Sequence, residues 1–265
     1  MAMVPPFPQL RTRSSAAPPA VKFSNLSLCP AAAVSLFCFP YAGAGTAVYR
    51  SWPVHLLQGI AVYGASLPGR EDRLGEESFT ELLPLVHAAT NALEPLLGRP
   101  FALFGHSMGA LVAFEIVRHL RKRFLTLPCH LFVSGFRAPH LPDPRPLLYQ
   151  MAKEDLVDEL RRLNGMAPEL LEDSELLDLV LAPLRADLQV AQTYRHSSEA
   201  PLGCPITAYG GTADPDVDRS DLEPWRAHTL SEFAVKILPG DHFFPNAALP
   251  LLLTDLKTRL LASLG

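Results

Sequence analysis

Cysteine is scarce: Cys29, Cys38, Cys129 and Cys204 are the only four thiols in 265 residues, and no two of them form a C-x-x-C pair. That spacing argues against a disulfide framework or a structural zinc site and fits reduced thiols packed in a cytosolic protein. An excess of basic charge is lacking too. The 23 Lys and Arg against 27 Asp and Glu leave a net charge of −4, without the electrostatic footprint that nucleic acid or an anionic membrane surface requires. Long apolar runs are missing as well: AAAVSLFCF, 31–39, falls far short of the ~20 residues that span a bilayer.

Acidic residues are absent from the start of the chain, the first being Glu71. An acid-poor, Ser-containing, Arg-bearing N-terminus has the composition of a transit peptide, but Pro5, Pro6, Pro8, Pro18 and Pro19 break the amphipathic helix such peptides need. Residues 1–30 are therefore expected to be a flexible tail. A secretory signal cleaved after AAAVSLFCF would remove a strand that the rest of the chain needs.

What is present is a regular alternation. Short apolar runs at 34–39, 60–66, 101–105, 130–135, 205–210 and 233–238 read as strands, and stretches with helical spacing separate most of them, such as 79–97, 110–123 and 247–264. Strands that are apolar throughout and alternate with helices predict an α/β domain, doubly wound around a mostly parallel sheet. One domain is expected over 31–265. Between 138 and 203 the alternation fails: after a Pro-rich stretch come helical segments at 153–165 and 173–194, the second interrupted at Pro183. A helical insertion of this size between core strands predicts a lid over a site at the carboxyl edge of the sheet.

The chemistry gathers at FALFGHSMGALVAFE, 101–115. In G-x-S-x-G the two glycines permit a tight strand-to-helix turn that raises the Ser107 hydroxyl above the sheet at a helix N-terminus, where developing negative charge is stabilised. A serine hydroxyl needs a base to take its proton and an acid to orient that base. In chain order the acid comes next, after a late strand. Asp214, the first carboxylate past the run 205–210, is the expected acid, with Asp216 and Asp218 next in line; the competing reading makes these carboxylates turn formers and helix caps. His242, in LPGDHFFP directly after the run 233–238, is the expected base. His228 is read as lying on a surface helix. His55, His87, His106, His119, His130, His140 and His196 are read as surface or packing residues. Two backbone N–H groups must meet the oxyanion: that of Met108, and one from the loop FPYAGAG, 39–45, given by Ala42 or Tyr41.

Taken together, LFCFPYAGAG, LPGREDR (67–73), FALFGHSMGALVAFE, LRADLQVAQTY (184–194) and GDHFF (240–244) resemble the stand-alone type II thioesterases of polyketide, nonribosomal-peptide and fatty-acid synthases. The resemblance spans about residues 34–262. It implies an α/β-hydrolase fold, a triad of Ser107, Asp214 and His242, and an oxyanion hole of Ala42 and Met108. It further implies a lid over an acyl channel and hydrolysis of acyl or aminoacyl thioesters from acyl or peptidyl carrier proteins, clearing aberrant or stalled chains, without metal or cofactor. A cytoplasmic monomer is expected. Carriers of this kind are acidic, which makes Arg118, Arg121, Lys122, Arg123, Arg137 and Arg145 candidate contacts, although basic residues that end a helix are also explained by its dipole. One departure stands out: Ala44 replaces a glycine usual in the family. A positive φ there would strain the oxyanion loop by about 1–3 kcal/mol. Arg70 and Glu71 read as no more than a paired turn. A general carboxylesterase, a chain-terminating cyclase and a non-catalytic binder on the same fold are the alternative readings.

Overall fold

β1 (Lys22–Asn25) pairs antiparallel with β3 (Ile60–Ser66) at one edge of a sheet that is otherwise parallel. β2 (Val34–Phe39), β4 (Phe101–His106), β5 (His130–Ser134), β6 (Ile206–Gly211) and β7 (Phe233–Leu238) complete seven strands in the order β1-β3-β2-β4-β5-β6-β7. The computed structural model describes residues 19–27, 29, 31–56, 59–165 and 174–264. All six apolar runs become strands, and AAAVSLFCF supplies β2 in the interior of the sheet.

The tail expected over 1–30 is corrected in its last third. Its first 18 positions lie outside the described residues, but Lys22–Asn25 form the edge strand. Phe23 is its apolar anchor, edge-on to Phe37 and Phe39 at 5.1 and 5.8 Å between ring centroids. One apolar residue among four gives an edge strand almost no sequence signal.

Side chains alternate across β2, so the sheet is buried on both sides, as parallel sheets require. Phe37 and Phe39 face a core shared with α1 (Leu82–Leu93) and α2 (Met108–Lys122). Leu36 and Cys38 face a second core closed by Trp52, Leu56 and α5 (Leu249–Ala262).

The 138–203 insertion holds no strand among the described residues. It contributes α3 (Lys153–Arg162) and α4 (Ser174–Gln192), whose Leu156, Leu160, Leu177, Leu181 and Leu184 form a third, smaller core with Leu148. The interruption expected at Pro183 does not occur, because α4 runs through it. Proline forfeits one backbone bond and crowds the preceding turn, but leucines packed on both sides of it hold the helix together, as tertiary packing commonly does.

β3 and β4 lie on opposite sides of β2. The chain thus reverses its progress across the sheet there, leaving a crevice at the carboxyl ends of β2 and β4, the usual ligand position in open α/β sheets.

Candidate active site

Ser107 lies between β4 and α2 with φ 53° and ψ −121°, a conformation few non-glycine residues adopt. The flanking glycines are what make the turn possible. A Cβ on Gly105 would lie 2.0 Å from the Gly109 carbonyl oxygen, and one on Gly109 would lie 2.1 Å from that of Phe39. The Ser107 N–H donates to the Ser134 carbonyl at 2.7 Å, tying the elbow to β5.

His242 and Asp214 reach this corner from two other strand ends. His242 Nδ1 lies 2.8 Å from Asp214 Oδ2, with the carboxylate side chain wholly buried. Close backbone packing brings the two loops together: a Cβ on Gly211 would lie 2.3 Å from the Asp241 carbonyl oxygen. Asp214 Oδ1 accepts the Asp216 and Val217 N–H groups at 2.9 and 3.2 Å. Burial pushes the Asp214 carboxyl up, but the His242 hydrogen bond and charge and these two N–H donors outweigh it and hold the group below the usual aspartate range.

The neighbouring carboxylates are committed elsewhere. Asp216 receives Arg145 and Arg162, bracing α3, and Asp218 caps the short helix Arg219–Leu222 in a capping box with Asp221.

Tyr41–Ala44 form a β-turn closed by the Ala44 N–H on the Tyr41 carbonyl at 3.0 Å, with Gly43 at φ 80° in the third position, the type II pattern. Gly43 takes the left-handed conformation, and Ala44 is not among the positive-φ residues, so the strain expected at Ala44 does not arise. Among the described residues no partner takes the Ala42 N–H. The Met108 N–H is the first of α2, where donors have no intrahelical acceptor.

Ser107, His242, Ala42 and Tyr41 share one cavity of about 280 Å³, walled mostly by apolar residues. Leu160, Leu163, Val180, Leu184 and Leu188 come from the insertion, and Phe243 follows the histidine.

Two histidines differ from expectation or add to it. His228, read as a surface residue, is buried beside Phe114 and Trp225 and bonds His140 at 2.7 Å between ring nitrogens. Its 3-10 turn, Glu223–His228, has too short a period to betray an inward face. His106 does pack, but against the site: its ring centroid lies 5.2 Å from that of His242, and its Nδ1 lies 3.0 Å from Ser134 Oγ. Burial first, then the His242 charge, lowers its pKa to about 3, so it stays neutral beside His242.

Arg70 and Glu71 do not pair with each other. Arg70 binds Asp187 of α4, and Glu71 accepts from Thr46 and Ala47. The six basic residues considered for carrier contact all have carboxylate partners within the chain: Glu115 and Glu199 for Arg118, Glu199 for Arg121 and Lys122, Glu94 for Arg123, Asp221 for Arg137, and Asp143 and Asp216 for Arg145. Arg118 is buried and presents no docking surface.

Residues 34–260 match the Thioesterase domain family. The linear gramicidin dehydrogenase LgrE of Brevibacillus parabrevis is 43% identical over 232 residues, 86% of this chain and 88% of that protein. Thioesterase PikA5 of Streptomyces venezuelae is 39% identical over 241 residues, 89% of this chain and 84% of its own. RedJ, a thioesterase from the prodiginine pathway in Streptomyces coelicolor, superposes with a TM-score of 0.83 at 37% identity, covering 95% of this chain and 91% of its own. With an α/β-hydrolase sheet, a serine elbow and a family match over most of its length, the chain belongs to the thioesterase family.

Proposed function

We propose that the chain is a serine thioesterase that removes acyl or aminoacyl groups from phosphopantetheinyl carrier proteins, clearing aberrant or stalled chains in polyketide or nonribosomal-peptide assembly. The observation that carries this reading is one mostly apolar cavity lined by both Ser107 and His242, with His242 Nδ1 on a buried carboxylate. Relatives named for gramicidin and for prodiginine pathways support the setting of an assembly-line synthase.

Ser107 Oγ attacks the thioester carbonyl while His242 Nε2 takes its proton, and Asp214 holds the ring and stabilises the imidazolium. The N–H groups of Ala42 and Met108 receive the oxyanion. Collapse expels the carrier's thiol, which takes the proton back from His242. A thiol of pKa about 8.5 is a far better leaving group than an alcohol. Water then attacks the acyl-serine with His242 again as base, releasing the acid. The 138–203 insertion acts as the lid, its leucines gripping the acyl chain, within one catalytic domain over 31–265 that works as a cytoplasmic monomer. One relative's name includes a dehydrogenase, but the glycine loop of this chain is not a dinucleotide fingerprint. Gly43-Ala44-Gly45 is followed by Val48 where a dinucleotide fingerprint has its third glycine.

The test compares kcat/KM for an acyl group on a phosphopantetheinyl carrier, the same acyl group on a small free thiol, and its simple oxygen ester. Preference for the carrier-borne thioester is expected. Equal or better turnover of the oxygen ester makes the protein a general carboxylesterase, and no turnover of any of the three supports a non-catalytic binder.

A further inference from the structure

We propose that Asp187 of α4, together with Arg70, is a positioning residue for the oxyanion loop: it holds the Gly43 N–H so that the preceding Ala42 N–H stays aimed into the cavity. The inference rests on the reading of Ala42 as an oxyanion donor.

Both charges are withdrawn from water, with Arg70 5% and Asp187 2% exposed. The guanidinium meets the carboxylate with both terminal nitrogens, NH2 to Oδ1 at 2.9 Å and NH1 to Oδ2. What each group does next is the informative part. Asp187 Oδ2 also accepts the Gly43 N–H at 2.8 Å, while Arg70 NH1 also donates to the Ala44 carbonyl at 3.1 Å. The pair therefore grips the backbone of one turn from both sides. Arg70 is itself held, its Nε donating to the Pro68 carbonyl at 3.3 Å.

The next residue continues the grip. Glu71, at φ 50°, accepts the Thr46 N–H, the Thr46 hydroxyl and the Ala47 N–H at 3.1, 3.0 and 2.9 Å. Its carboxylate occupies the space beside Gly45, where a Cβ would fall 2.3 Å from the carboxyl carbon. Two segments far apart in the chain, 67–73 and 184–194, thus converge on one loop.

Stability alone is a poor reason for such a pair. Taking two ions out of water is costly, and well-packed apolar residues of similar volume often serve as well. A turn with glycine at its third position, however, flips its central peptide easily between type I and type II geometry. A carboxylate accepting the Gly43 N–H selects the type II form and, with Arg70 on the Ala44 carbonyl, fixes the position of the whole turn, the Ala42 N–H included. The same helix face supplies Leu184 and Leu188 to the cavity, and Leu184 Cδ1 lies 3.2 Å from where a Gly43 Cβ would be. Acyl pocket and oxyanion loop are therefore fastened to one helix.

The test uses the full chain, with Asp187→Asn and the double variant Arg70→Met/Asp187→Leu, which leaves no unpaired charge buried. Three quantities are measured: kcat and KM for an acyl thioester, affinity for a trifluoromethyl ketone that forms an oxyanion on the serine, and affinity for the matching methyl ketone that binds without forming one. The wild-type protein must first hydrolyse the thioester; if it does not, the proposed function fails rather than this inference. The expected result is a kcat loss of about 10²-fold, the size of a lost oxyanion contact, with KM and methyl-ketone affinity within about twofold. Trifluoromethyl-ketone affinity falls in parallel with kcat. A folded double variant with wild-type kcat overturns the proposal. So do equal losses for both ketones, or a double variant that melts before assay, because either makes the pair a structural brace.

Discussion

Asp214, Asp216 and Asp218 alternate along one loop and point to three different partners: a histidine ring, two arginines and a helix N-terminus. Only the first touches His242, the proposed base, so Asp214→Asn is expected to lower kcat by about 10⁴-fold by favouring the wrong imidazole tautomer. Asp216→Asn, which only loosens Arg145 and Arg162, is expected to stay within about tenfold of wild type. Steady-state kinetics of the two variants checks the assignment, and a reversed order would move the orienting role to Asp216. Ala44 gives a second residue-level outcome. Because Gly43 and not Ala44 takes the positive φ, Ala44→Gly restores the family's usual residue without relieving strain. It should leave kcat unchanged and lower stability by about 0.5–1 kcal/mol through the freer unfolded chain, readable by denaturant melting.

At the scale of elements, α3 and α4 carry their own small core and present Leu160, Val180, Leu184 and Leu188 to the cavity, joined by Leu163 just past the end of α3. Leu188→Trp fills part of a space of about 280 Å³ and is expected to cut kcat/KM for long acyl chains about tenfold or more relative to short ones, the discrimination a hydrophobic pocket reaches. An unchanged chain-length profile would contradict a gripping role for these helices. The main strands and helices were legible in the sequence because buried parallel strands write themselves as unbroken apolar runs, VSLFCF and FALFGH among them. Ser107 and His242 were legible because each follows such a run. β1 left no comparable mark, since an edge strand with one anchoring phenylalanine has nothing to alternate. Proline 183 misled because a breaker rule is local whereas the leucines that override it pack from elsewhere. Asp187 was invisible as a site residue: a carboxylate in the middle of an amphipathic helix reads as solvated until the fold brings Arg70 and Gly43 to it.

For the whole molecule, three buried histidines set how stability responds to acid. Burial, with neighbouring cations or imidazoles adding to it, lowers His106 to about 3 and His130 and His228 to about 4. In the unfolded chain each titrates near about pH 6.5. Over that interval the unfolded state binds more protons, so stability falls as pH falls from about 6.5 toward 4. The melting temperature should decline through this window, before carboxylates such as Asp214 begin to protonate, and His228→Asn should flatten the decline. A melting temperature constant down to about pH 4.5 would contradict it. Ser107 is proposed above as the acyl-accepting nucleophile of a triad assembled from three strand ends. The most direct test of that role is fluorophosphonate labelling of the native protein, with the adduct mapped by peptide mass spectrometry and thioester hydrolysis followed in the same samples. One adduct is expected, on Ser107, with activity lost in proportion to it. An adduct elsewhere, or full labelling of Ser107 with hydrolysis intact, would contradict that role.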